Sequence, residues 1–120
     1  MKLRSGLWFG ENLDAVRAEA VRCHYPLYEL SMNGTPDRES FFTAVRSTLP
    51  QDPVLVSSRS WDALVDSVRN GIGDARGNRH VVVWPDLREF EDPLGVSVLE
   101  QVIWHLETWR PANYLCIYAD

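Results

Sequence analysis

The residues best placed to do chemistry are two aspartates, Asp62 and Asp66. They lie four apart, so a helix sets them one turn above the other on a single face. Two carboxylates held that way resemble successive phosphates in charge and separation. The complementary target is a phosphate-binding cleft on a partner, lined by arginine and lysine. Folding alone explains the pair less well. The helix dipole favours a carboxylate in the first turn by ~0.3–1 kcal/mol, which serves Asp62 and largely fades by Asp66. Like charges at this spacing cost an isolated helix ~0.2–0.5 kcal/mol. Arg69, three residues on, can relieve Asp66 through a surface ion pair worth ~0–1 kcal/mol. A solvated helix face is the plain alternative to a partner site.

Other chemistry-bearing residues do not form a constellation. His24, His80 and His105 fall on different predicted elements and read as surface or strand-end histidines. Cys23-His24 lacks the second ligand pair of a zinc site. Gly71, Gly73 and Gly77 follow a helix, whereas a phosphate loop joins a strand to a helix. We therefore expect no catalytic residues, no cofactor and no metal.

The aspartates belong to the stretch Ser57–Ile72. Ser60 is a good N-cap, because its hydroxyl can accept a backbone N–H of the first turn. Trp61, Leu64, Val65, Val68 and Ile72 then recur at helical spacing and form one apolar stripe. Asp62, Asp66, Arg69 and Asn70 form a separate polar stripe. Gly71 and Gly73 are expected to end this helix.

Around it the chain reads as alternating helices and strands. Residues 1–10 look irregular, with Gly6 and Gly10 as breakers. Asn12 caps a helix over about 13–23 with Leu13, Val16, Ala20 and Cys23 on its apolar side. Tyr25–Met32 alternates as a strand and ends in an Asn33-Gly34 turn. A helix over about 38–49 follows, capped by Thr35 or Asp37 and burying Phe41, Phe42, Val45 and Leu49. Pro50 and Pro53 open a loop in which Val54, Leu55 and Val56 are either a short extended segment or an apolar loop. His80–Trp84 is an apolar run of the kind buried on both faces of a sheet. Asp92-Pro93 opens a last helix to about 109, and Tyr114–Ala119 is a final strand. Strands separated by helices imply parallel pairing, so we expect an α/β domain with a three-stranded parallel sheet and about four helices.

Composition is consistent with one domain spanning residues 1–120. Hydrophobic content of 45% and five tryptophans argue for a packed core. The net charge of −5 argues against direct nucleic-acid binding and suits a partner with a basic surface. Met1–Gly10 lacks the apolar run of a signal peptide, and no stretch reaches the length of a membrane span. We expect a cytoplasmic protein with reduced thiols, monomeric when free.

The segment Trp61-Asp62-Ala63-Leu64-Val65-Asp66 resembles the barstar family, intracellular inhibitors of barnase-type ribonucleases. It is similar to the family's segment in which Asp-Ala-Leu and a further aspartate open the inhibitory helix. Leu30–Gly34 resembles the family's first strand and its Asn-Gly turn. Asp37–Leu49 resembles its first helix, Val81–Trp84 its second strand and Leu115–Tyr118 its last. The likeness covers roughly 26–120, and residues 1–25 resemble the helical lead-in of longer members. It implies that Asp62 and Asp66 occupy the basic active site of a ribonuclease and block it. By the same carry-over, Val65, Asn70 and Val56 also touch the partner. Val65 stands where the founding member has a tryptophan, Asn70 at a glycine near the helix end, and Val56 about where a contact tyrosine falls.

This chain departs from the family just before the helix. Ser58 and Ser60 stand where glycine and asparagine are usual. Ser58 adopts left-handed backbone angles less cheaply than glycine, so the loop is expected to differ. The aromatic anchors of an interface hot spot are missing from this helix and loop. Trp104, off the stripe of Leu99, Val102 and Leu106 and flanked by Glu100 and Glu107, either replaces them or packs on the N-terminal helix or a loop. The expected function is inhibition of, or immunity to, a basic ribonuclease or ribonuclease-type toxin. The alternative is a protein-interaction module that keeps such a fold and no longer inhibits a ribonuclease.

Overall fold

The structure is a computed structural model and describes residues 1–77 and 79–120. Its elements are β1 (Gly6–Phe9), α1 (Leu13–Arg22), β2 (Leu27–Glu29), α2 (Arg38–Thr48), α3 (Trp61–Asp74), β3 (Arg79–Trp84), α4 (Pro93–Trp109) and β4 (Tyr114–Ala119). A 3-10 turn, Leu87–Glu89, precedes α4. Among the described residues no helix is long and apolar enough to cross a membrane.

Among the described residues the sheet is parallel throughout and has four strands in the order β1-β4-β3-β2. The expected three-stranded sheet is thus one strand short. The missing strand is β1, in the segment that reads as irregular. Leu7-Trp8-Phe9 lies between Gly6 and Gly10, both at positive φ, and pairs in register with Ile117–Ala119 at the far end of the chain. β2 is also shorter than the alternation in 25–32 suggests. Leu30 still donates its N–H to the Val83 carbonyl at 2.9 Å before the chain turns away through Asn33 and Gly34.

Strand periodicity divides the core in two. Val81, Val83, Cys116 and Tyr118 face α1 and pack with Leu3, Val16 and Ala20. Val82, Trp84, Leu115, Ile117 and Ala119 face α2, α3 and α4 and join the larger cluster built on Phe41, Leu64 and Leu106. β3 is buried on both faces, as its run of valines implies.

Each helix begins where a side chain accepts a first-turn N–H. Asn12 accepts from Ala15, Asp37 from Ser40, Ser60 from Ala63 and Asp92 from Leu94, at 2.8–3.1 Å. The bonds to Ser40 hold the Asp37 carboxyl below the usual aspartate range. Gly71 and Gly73 do not end α3, which runs to Asp74 with Ala75 as its C-cap. Asn113 donates its side-chain N–H to the carbonyls of Ile72 and Ala75 there, at 2.9 and 3.0 Å.

Candidate partner-binding surface

The candidate surface is the outer side of α3 with the loop that leads into it. The inner side is set by the apolar stripe. Leu64, Val65, Val68 and Ile72 are buried, along with Ser67 and Gly71. Trp61 is turned into an aromatic cluster, its ring 4.8 Å from Phe42, 5.3 Å from Phe41 and 6.3 Å from Phe90. The Arg38 guanidinium lies 4.9 Å over the Trp61 ring. The start of α3 is therefore fastened to α2 by edge-on and tilted aromatic contacts and a cation–π contact.

The loop before α3 is held at many points. Arg38 donates Nε–H to the Ser58 carbonyl at 2.6 Å and Nη2–H to the Arg59 carbonyl. The Ser58 hydroxyl donates to the Glu39 carboxylate. Gln51 donates its amide to the carbonyls of Val45, Arg46 and Leu49, and its Oε1 accepts the Leu55 N–H at 3.0 Å. One side chain thereby closes the end of α2 and pins the loop. On the α3 side, the Asp52 N–H donates to the Ser67 carbonyl, the Ser67 hydroxyl to the Pro53 carbonyl, and Asn70 Nδ2 to the Asp52 carbonyl. Leu55 is drawn into the core. Val54 and Val56, at 66% and 90% exposure, project outward, so this segment is an apolar loop rather than a strand.

On this frame Asp62 and Asp66 are exposed. Asp66 pairs with Arg69 at 3.3 Å while its side chain stays 61% exposed. Asp62 has no ion-pair partner among the described residues. Among the described residues the non-glycine positions at positive φ are His24 and Asn33, so Ser58 keeps ordinary backbone angles and binds Glu39 instead.

Two residues carried over from the resemblance fit the surface poorly. Val65 is only 4% exposed, because it falls on the apolar stripe between Leu64 and Val68. It packs into the core and supports the helix from within. Asn70 is partly exposed, but its amide is committed to Asp52. Trp104 is 59% exposed and borders Gly6, Leu7 and Phe9 on the far strand, away from the acidic pair.

His80 lies at the start of β3, a strand-end position as expected, and is not on the surface. It is fully buried, with Nδ1 3.1 Å from the Tyr28 hydroxyl, and burial lowers its pKa. Cys116 is a buried free thiol, pushed up to about 11 by its surroundings. Among the described residues no three His, Cys, Asp or Glu side chains converge as metal ligands do. The residues that sequence reasoning missed are Arg38 and Gln51. Gln51 directly follows the proline that ends α2, where free carbonyls await donors, and that position was its only signal. No protein-family model, curated protein or solved structure matches this chain.

Proposed function

We propose that this protein is a barstar-like inhibitor that seats the acidic side of α3 in the basic active site of a ribonuclease or ribonuclease-type toxin. The observation that carries the reading is the exposed Asp62–Asp66 pair on a helix whose other face and leading loop are both fixed. A pair held in place loses little freedom on binding, so attraction to cations is retained as affinity. Charge complementarity at such a surface also speeds encounter and makes it salt-dependent. Val54 and Val56, exposed on the loop that leads into α3, add apolar surface for the same partner.

The test is titration of a small basic ribonuclease of the barnase type with wild-type protein and single variants. Inhibition that weakens at least tenfold in Asp62→Ala and Asp66→Ala, and not in Val21→Ser on α1, supports the reading. Inhibition absent from the wild type, or equal in all three variants, rejects it.

A second reading is a module that uses the same surface on a partner that is not a nuclease. It is favoured by Trp61, the one aromatic of α3, being spent on Phe41, Phe42 and Phe90 and so unable to anchor an interface. Failure to inhibit, with Asp62→Ala and Asp66→Ala still abolishing capture of a defined non-nuclease partner, selects it.

A further inference from the structure

A second surface lies at the sheet edge formed by β1. Gly10 donates its N–H to the Ala119 carbonyl at 3.3 Å. Backbone direction alternates along a strand, so Gly6, Trp8 and Gly10 face β4 while the N–H and C=O of Leu7 and Phe9 face outward. In the strand order nothing lies beyond β1 among the described residues. Such an edge is a template for another strand.

Beside the edge runs a cleft of about 340 Å³, walled by Leu7 and Phe9 on one side and Val96, Glu100 and Trp104 of α4 on the other. Trp104 is held edge-on by His105 at 5.2 Å and leaves most of its ring open. Glu100 and Glu107 flank it one turn to either side. Glu107 accepts the Ser5 hydroxyl at 2.8 Å, and neither carboxylate has an ion-pair partner among the described residues. An indole face between carboxylates matches a lysine or arginine side chain.

We propose that this edge binds an extended, basic peptide segment of another protein. The segment adds as a strand to the outward groups of Leu7 and Phe9 and lays a cationic side chain on Trp104, between Glu100 and Glu107. A second copy of this chain is the poorer occupant. It would bring the same carboxylates to the joint, and the whole chain carries a net charge of −5. The surface is independent of the acidic side of α3, so the two readings stand or fall apart.

The test is NMR on the full-length, isotope-labelled chain with two synthetic nonapeptides. One alternates threonine with lysine and the other threonine with glutamate. The lysine peptide is expected to saturate, shifting the Leu7 and Phe9 amides and the Trp104 indole, and to bind at least about tenfold tighter than the glutamate peptide. Trp104→Ala, on an exposed position, is expected to weaken it about tenfold, as loss of an anchoring tryptophan does. Glu100→Gln should weaken it severalfold, and Phe9→Pro, which removes an outward N–H, should abolish the β1 shifts. Equal affinity for both peptides, shifts confined to Asp62 and Asp66, or a peptide-free dimer that shifts the same β1 amides would each overturn the proposal.

Discussion

Gly71 carries the backbone of α3 so close to Pro50 that a Cβ there would lie 2.2 Å from the Pro50 carbonyl oxygen. The loop that leads into the acidic helix is laid directly on that helix at this point. Gly73, one position past the next residue, meets nothing nearer than Arg110 Cγ at 3.5 Å, an ordinary contact.

The two glycines therefore predict opposite outcomes. Alanine is favoured over glycine within a helix by ~1 kcal/mol. Gly73→Ala should realise about 0.5–1 kcal/mol of that gain and raise the urea midpoint. Gly71→Ala must displace backbone, and overpacking of that kind costs about 1–3 kcal/mol, so it should lower the midpoint. Equal midpoints for the two variants would contradict the close packing of loop on helix.

Removing Gln51 should loosen the same loop from its other end. Gln51→Ala frees the Leu55 N–H and three carbonyls at the end of α2. Buried groups left unpaired cost about 1–3 kcal/mol. Hydrogen exchange at the Leu55 amide should accelerate well beyond that at β3. Unchanged exchange at Leu55 would show that Gln51 does not hold the loop.

The acidic pair should matter little to folding. The Asp66–Arg69 pair is exposed, and such pairs contribute about 0–1 kcal/mol. Asp66→Ala is expected to keep its stability within about 0.5 kcal/mol of wild type, in the range of ordinary surface changes. Asp62→Ala should cost about 0.3–1 kcal/mol through the lost dipole interaction at the first turn. Thermal unfolding of each variant measures this. A collapse of stability in Asp66→Ala would make the aspartate a structural residue.

His80 should make stability pH-dependent. Burial lowers its pKa below the ordinary 6.5, so near neutral pH the folded form holds it uncharged against Tyr28. The unfolded chain takes up that proton more readily, so stability rises with pH across this range. The contribution is complete above about 6.5 and is lost as pH falls below it. Urea unfolding at pH 7.5 and pH 5.5 should show a drop in the wild type that shrinks in His80→Gln. An equal drop in both would assign the dependence to other groups.

Caps and stripes were readable from short range. Asn12, Asp37, Ser60 and Asp92 all cap the helices they precede, because a cap needs only its own next few residues. The same 3.6-residue repeat that exposes Asp62 and Asp66 also buries Val65. Periodicity alone places that residue on the buried side of the helix.

Other features depended on residues far away in the chain. Leu7-Trp8-Phe9 becomes a strand only because Ile117–Ala119 is there to pair with it, and no local pattern announces a partner that distant. Gly71 reads as a helix stop until Pro50 is seen to need its missing side chain. His80 is the strand-end residue it looks like, but only the folded chain shows that it is buried there. Local propensity and helical spacing decided which side of α3 could face a partner. Long-range packing decided how firmly that side is held, since a loop gains rigidity only from contacts its own residues cannot supply.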